Sequence, residues 1–381
     1  MRDGRRMRFM KGNIEGDMRG SLKGKDLLAL RALRQALHAH PGLSGEEGAA
    51  REILTQFLRK NTSLEVFALA GSLVAIHREP EEGALAFRGD MDAIPGPQGP
   101  FHGCGHDGHS ALLAGLALLL EGKKLGKTIL LLFQGGEETG QGALPLRDAL
   151  LERERVDAFL GFHNLPGYPA GQVLLRPGAF ACASQGLILT LEGKQAHAAY
   201  PEQGRNPLPI LGALAAALPG LAADIKPRGL LLATPVGLQA GGENFGVAPG
   251  LGTLYLTLRA QAQGELEALE EAIAAFLARE GGPDMALTVR KRDVFPDTVN
   301  DPALYARCAA LLGAAGIPWE ELGAPMRWSE DFGWFGKARP SLYLGFGAGE
   351  DWPGLHTPGY CFNDALLETG PAALFCLAKG L

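Results

Sequence analysis

The sequence predicts an α/β protein: a larger domain built on a mixed, largely parallel sheet, interrupted by a smaller ferredoxin-like domain. Three observations carry this reading. From Lys25 onward, short apolar runs of strand character alternate with helical stretches, the pattern of a largely parallel sheet covered by helices. Several of these runs end on Asp, Glu or His. Between residues 186 and 292 the order becomes βαββαβ, the split pattern of a ferredoxin-like unit.

Each element follows from local composition. Residues 1–24 are rich in Met, Arg and Gly, lack periodicity and read as a flexible leader. Lys25–His38 is helical by pattern. Ser44-Gly-Glu-Glu47 reads as a capping box opening a helix that runs to about Lys60. Leu64–Ala70, Ser72–His77 and Ala84–Arg88 read as strands, the last stopping at Gly89-Asp90-Met91-Asp92. A helix is expected over Ser110–Glu121. Thr128–Gln134 is nearly all apolar, as a strand buried on both faces requires, and it runs into Gly135-Gly136-Glu137-Glu138. A helical stretch to Leu151 precedes strand Val156–Phe162, which ends at His163. The inserted unit reads as strand Leu187–Leu191, helix Asn206–Ala223, strands Leu230–Gln239 and Thr253–Ala260, helix Glu265–Arg279 and strand Met285–Arg290. Residues 293–381 return to helix–strand alternation and complete the domain begun at 25–185.

Composition narrows the class. The chain has 381 residues, enough for about two domains. With 36 Lys and Arg against 42 Asp and Glu it carries a net charge of −6, so there is no basic footprint for nucleic acid. Its 54 glycines are about twice the usual share, without a collagen period, and belong in turns and close-packed loops. Five scattered cysteines do not form a disulfide framework and fit a reducing compartment. No signal peptide is visible, and the longest clean apolar run, Ala111–Leu120, is too short to span a bilayer. The expectation is a soluble, cytoplasmic protein with no membrane partner.

The densest chemistry lies in His102-Gly-Cys-Gly-His106-Asp-Gly-His109. Thiolate and neutral imidazole are good ligands for borderline divalent metals, and glycines let Cys104 and His106 turn inward together. Gly103, Gly105 and Gly108 also match a dinucleotide fingerprint. That reading fails on context, because the preceding strand ends near Arg88 and position 128, where an acid belongs, is Thr. A loop of ordinary surface histidines is the plain alternative. Glu137-Glu138 alone would be a solvated helix start; beside metal donors, one carboxylate can bind an ion while its neighbour moves a proton. His163 and His356, taken singly, could each be ordinary loop or core residues.

Six motifs stand in order: Leu37-His38-x-His40-Pro41-x-Leu43-Ser44-x-x-Glu47, Arg88-Gly-Asp-Met-Asp92-Ala-Ile-Pro95, His102 to His109, Phe133-Gln-Gly-Gly-Glu-Glu138, Gly161-Phe-His163-x-x-Pro166 and Leu355-His-Thr-Pro-x-Tyr-x-Phe-Asn-Asp364. Together they resemble the dinuclear metallopeptidase superfamily of aminoacylases and glutamate carboxypeptidases, and within it the branch of hippurate hydrolases and auxin–amino-acid-conjugate hydrolases. The resemblance covers nearly the whole chain beyond residue 25. It implies a zinc-peptidase-like α/β catalytic domain with an inserted lid that dimerises.

The resemblance also implies roles. Cys104, His106, Glu138, His163 and His356 match the ligands of two divalent metal ions. Cys and His favour zinc, and the shared carboxylates leave manganese or cobalt open. Glu137 matches the general base and Asp92 a residue supporting the ligands. His197, in Gly193-Lys-Gln-Ala-His197, matches a lid histidine that stabilises the oxyanion, and Asn244 a lid residue near the substrate. Three features depart from the pattern. Gly135-Gly136 replaces the usual Pro-Ala, the Pro95–His102 link is short, and Tyr255 stands where a lid Arg is usual, with Arg259 a possible substitute on the substrate. The implied activity is metal-dependent hydrolysis of the amide bond of N-acyl amino acids. Alternatives are a dipeptidase or carboxypeptidase using the same site, and a non-catalytic binding relative. A homodimer or higher homo-oligomer through the lid is also expected.

Overall fold

A computed structural model describes residues 21–80 and 83–381. Most of the expected leader, residues 1–20, lies outside the described residues. The chain divides into two compact units. The larger holds the residues up to Phe180, Val299–Ala324 and Trp334–Leu381; the smaller holds Ala181–Thr298 and Pro325–Gly333.

Among the described residues the larger unit builds an eight-stranded mixed sheet. Its centre is parallel. Ala84–Asp90 pairs with Thr128–Gln134 on one side and Ala158–Pro166 on the other, and Ala158–Pro166 pairs in turn with Ser341–Gly349. Thr128–Gln134 and Ala84–Asp90 are buried along their whole length, as their lack of alternation requires. The register sets Asp90 opposite Gln134 and His163 opposite Gly345, so these parallel strands end on the same side of the sheet. In such sheets ligands sit beyond that side.

Helices Gly24–His38, His106–Leu120 and Leu366–Gly380 cover one face, with Leu30, Leu37, Leu112, Leu116 and Leu374 buried among them. Each such side chain contributes roughly 1.5–3 kcal/mol relative to exposure. The middle helix is apolar all round and almost wholly buried, as a central helix must be.

Three boundaries differ from the sequence reading, and each difference concerns chemistry. The middle helix begins at His106 rather than Ser110, on Gly105 at φ +87°, so His106 and His109 lie in its first turn. His163 lies within strand Ala158–Pro166 rather than just past its end. The helix beginning at Gly48 has Glu47 at its N-cap with no side-chain cap hydrogen bond, so Ser44 and Glu47 are not a capping box.

The smaller unit is a four-stranded antiparallel sheet with two helices in the order βαββαβ. Strands Ala183–Glu192 and Leu251–Ala260 alternate cleanly. Leu187, Leu189, Leu191, Leu254, Leu256 and Leu258 form a core with Leu211, Leu214, Leu218, Leu269 and Ile273 of helices Leu208–Asp224 and Gln263–Gly281. The sequence reading ended this unit at 186 and 292 and gave residues 325–333 to the other. Here Pro325–Gly333 clusters with it, because the Cys182 amide donates to the Met326 and Trp328 carbonyls at 3.2 and 3.1 Å. No described helix is long and apolar enough to cross a membrane.

Candidate metal centre

Four segments bring donors to the strand ends of the larger sheet. Cys104 precedes the central helix and His106 opens it. Glu137 and Glu138 follow strand Thr128–Gln134, His163 lies in Ala158–Pro166, and His356 comes from the loop before the last helix. Cys104 Sγ lies 3.0 Å from His356 Nε2 and 3.8 Å from His163 Nε2. Donor atoms of Cys104, His106 and His163 lie within 4.8 Å of one another, as do those of Cys104, Glu138 and His356 and those of His106, Glu137 and Glu138. All five sequence-expected ligands and Glu137 thus share one cluster. His356 sits at φ +62°, in the left-handed region that few non-glycine residues occupy.

The imidazoles are oriented from behind. His106 Nδ1 lies 3.0 Å from the Asp92 carbonyl and 3.2 Å from Asp92 Oδ1, and His163 Nδ1 lies 2.7 Å from the Asn164 carbonyl. A proton on each Nδ1 satisfies these acceptors and aims Nε2 into the cluster. Asp92 Oδ2 also accepts the Glu138 amide at 2.9 Å and the Ser44 hydroxyl at 2.7 Å. One carboxylate therefore ties Glu138 to His106.

Behind this layer runs a buried chain of side chains that sequence reasoning did not assign. Arg88 Nη1 meets Asp90 Oδ2 at 2.7 Å, Asp90 Oδ1 meets His109 Nδ1 at 2.5 Å, and His109 Nε2 meets Asn164 Oδ1 at 2.5 Å. Asn164 Nδ2 then reaches the Tyr360 hydroxyl at 2.5 Å. A side chain at Gly105 would collide with this chain, since its Cβ would lie 2.5 Å from Asn164 Oδ1 and 2.7 Å from the Tyr360 hydroxyl. His109 is thus occupied structurally, and His102 packs beside His38 outside every donor group of the centre. The available signal was positional: Asn164 and Tyr360 adjoin His163 and His356 inside the same motifs.

The electrostatics call for a cation. Burial pushes the Cys104 thiol well up, and the Glu138, Glu137 and Asp90 carboxylates push it further. Burial also raises the Glu138 carboxyl, with Asp92 and Asp90 adding to it and His106 opposing. Burial disfavours charge on His106, but Asp90, Asp92 and Glu138 outweigh it and raise its pKa to about 10. Buried anionic donors hold protons in this way when no metal charge is present, and a divalent ion reverses that balance. Within the cluster, the buried atoms His106 Nε2 and Glu138 Oε1 make no hydrogen bond. They face each other at 3.7 Å, too far for a hydrogen bond and suited to two donors on one ion. The donor set therefore fits a metal.

The remaining expected site residues lie in the smaller unit. His197 is exposed on a two-residue strand paired with Val247–Ala248, and Asn244 caps the turn leading into that partner, its Oδ1 accepting the Gly246 amide at 3.2 Å. The structure brings these two together. Arg259 lies at the far end of strand Leu251–Ala260 and shares a face with Tyr255, because the register there is unbroken. Its Nη1 donates to the Arg327 carbonyl at 3.2 Å and to Ser329 Oγ at 3.1 Å, so it grips Pro325–Gly333.

An α/β sheet that gathers thiol, imidazole and carboxylate donors at its strand ends, with a second carboxylate beside them, defines a metal-binding hydrolase. The chain belongs to Peptidase family M20/M25/M40, whose profile matches residues 86–380. It is 29% identical over 411 residues to the N-acetyl-L-cysteine deacetylase of Bacillus subtilis (strain 168), covering 97% of this chain and 96% of that protein. It is 27% identical over 358 residues to the hippurate hydrolase of Campylobacter jejuni, covering 88% and 92%. Among solved structures, the Bacillus subtilis YXEP protein, described as a dinuclear metal binding peptidase from the M20 family, superposes with a TM-score of 0.78 at 21% identity, covering 94% of this chain and 98% of that one. The chain is accordingly an amide-bond hydrolase.

Proposed function

We propose that this chain hydrolyses the amide bond of N-acyl amino acids of the hippurate or N-acetyl-amino-acid type. The observation that carries the proposal is the single cluster of Cys104, His106, Glu137, Glu138, His163 and His356, in which buried His106 Nε2 and Glu138 Oε1 have no hydrogen-bond partner. The names of the deacetylase and hippurate hydrolase relatives support the substrate class. Cys104, His106, Glu138, His163 and His356 would hold two divalent ions, zinc, manganese or cobalt.

When bound, such ions supply Lewis acidity and a water acidic enough to lose its proton near neutral pH. Glu137, whose neighbour Glu138 is committed to the ions, accepts that proton and returns it to the leaving nitrogen. Asp92 holds the Glu138 amide and the His106 ring and so keeps the carboxylates in register with the imidazole. In the same reading His197 donates to the developing oxyanion, and Asn244 and Arg259 contact the substrate. The smaller sheet's edge strands expose Val236, Leu238, Leu287 and Val289, which supports a homodimer or higher homo-oligomer through that unit.

The test is a release assay on hippurate, N-acetyl amino acids and dipeptides with added Zn²⁺, Mn²⁺ or Co²⁺, with metal content measured on the same sample. Release from the acyl amino acids above the dipeptides is expected. Dipeptides as the better substrates would replace the proposal with a dipeptidase, and no release from any would replace it with a binding protein. Cys104→Ala should weaken metal affinity at least about 10²-fold, and unchanged affinity would remove Cys104 from the ligand set.

A further inference from the structure

The Ser44-x-x-Glu47 run does not cap a helix, and its side chains point elsewhere. Glu47 is 2% exposed, a rare state for a carboxylate unless its oxygens are engaged. Its Oε1 accepts two backbone N–H groups, from Gly45 at 2.8 Å and from Gly136 at 2.8 Å, and Oε2 lies 3.5 Å from Arg51 Nη1. Three residues earlier, Ser44 Oγ donates to Asp92 Oδ2, the same oxygen that accepts the Glu138 amide.

The loop is shaped to receive this carboxylate. A Cβ on Gly135 would lie 2.8 Å from Glu47 Oε1 and 2.9 Å from its Cδ, so a side chain there would displace it. Gly136 is left-handed at φ +72°, which turns its N–H toward Glu47. The Gly135 amide donates to Ser72 Oγ at 3.2 Å, and the Gly136 carbonyl accepts the amides of Gln141 and Gly142, both at 3.1 Å. The backbone on either side of Glu137 is thus gripped from one short run: Gly136 directly by Glu47, and Glu138 through Asp92 by Ser44.

We propose that Glu47, assisted by Ser44, is the positioning residue that sets the backbone of Glu137. The proposal rests on the reading of Glu137 as general base for its effect on rate, but not for its effect on the loop. Misplacing a catalytic group by about 1 Å can cost about 10²-fold in rate.

The experiment compares the wild type with Glu47→Ala, Glu47→Gln and Ser44→Ala by two readouts. Amide exchange over residues 135–139, followed by mass spectrometry in the metal-free chain, reads loop position without activity. Here Glu47→Ala should exchange about tenfold faster, while Glu47→Gln, whose amide oxygen still accepts the Gly136 N–H, stays near wild type. Steady-state kinetics on the metal-loaded enzyme should show Glu47→Ala losing about 10²-fold in kcat with KM within about threefold. Glu47→Gln should recover most of that loss. Wild-type exchange in Glu47→Ala overturns the proposal, as does equal damage to exchange and kcat in both Glu47 variants. If Glu47→Ala does not fold, Ser44→Ala decides: a kcat loss of about tenfold at constant KM supports the proposal, and unchanged kcat overturns it. A wild type that releases nothing from any amide sinks the functional reading, while the exchange result still judges the hold of Glu47 on the loop.

Discussion

The candidate site residues of the two units are built in opposite ways. In the larger unit, His106 and His163 are buried and each has a partner behind it: Asp92 behind His106, and behind His163 the carbonyl of Asn164, whose side chain belongs to the Asp90–His109–Asn164–Tyr360 chain. In the smaller unit, His197 and Asn244 are exposed, and they bond to residues two or three positions along the chain or across a two-residue ladder. Donors that must share an ion need fixed separations, and packed elements supply them. Groups that meet a substrate arriving from solvent can sit on a light, exposed turn. The contrast predicts that substitutions in the first region disturb stability or metal binding, whereas substitutions in the second disturb rate alone.

The largest effect expected is at Glu137, where the contrast should break in an informative way. Glu137→Gln keeps the shape of the side chain and removes the proposed base, so kcat should fall by about 10³-fold with metal content unchanged by elemental analysis. Full turnover in this variant would end its assignment as base. Loss of metal alongside activity would move Glu137 into the ligand set.

A paired measurement tests the contrast directly. Asn164→Ala deletes the link between His109 and Tyr360 and leaves buried polar groups unpaired, which should cost about 2–3 kcal/mol in denaturant unfolding. His197→Ala should change stability by no more than about 0.5 kcal/mol yet lower kcat by about 10²-fold. If His197→Ala destabilises the chain as much as Asn164→Ala, the exposed turn is structural and the comparison collapses.

Much of the fold was legible because its signals are local. The fully apolar Thr128–Gln134 and the alternation in Leu251–Ala260 each announce their burial. Cys104 and His106 stand out because Cys and His beside glycine are uncommon in a tight cluster, whereas His163 and His356 enter only through the resemblance. What supports them was not legible, for a physical reason: Asp90, Asn164 and Tyr360 act through contacts spanning up to 196 positions in sequence, and no local period encodes these. Ser44-x-x-Glu47 misled more sharply. Its spacing is that of a capping box, but Ser44 Oγ turns to Asp92, and Glu47 Oε1 takes the distant Gly136 N–H as well as that of Gly45. Residues 325–333 were assigned by sequence order alone, whereas the Cys182 amide and Arg259 hold them to the smaller unit.

The smallest effect lies at the rim of the rigid region, where burial gives way to solvent. His38 Nδ1 lies 2.8 Å from Asp107 Oδ2, and Arg34 from the same helix reaches both Asp107, at 3.5 Å, and Asp364, at 2.8 Å. The His102 ring lies 6.1 Å from that of His38, and burial holds its pKa below the ordinary value. The bond to Asp107 raises the pKa of His38 against the opposing effects of burial and Arg34. Because the folded-state value is above the ordinary 6.5, the stabilisation is fully present below pH 6.5 and fades as pH rises through the raised value. Asp107 is held below its ordinary 3.8, so its own contribution is lost only in stronger acid. With the His38 side chain 42% exposed, screening should limit the effect to less than about 1 kcal/mol. The stability difference between wild type and His38→Gln, measured on the metal-free chain, should be largest near pH 6 and shrink toward pH 9. A difference that stays constant across that range would mean that His38 contributes by packing, which would place it with the buried framework rather than at its titrating edge.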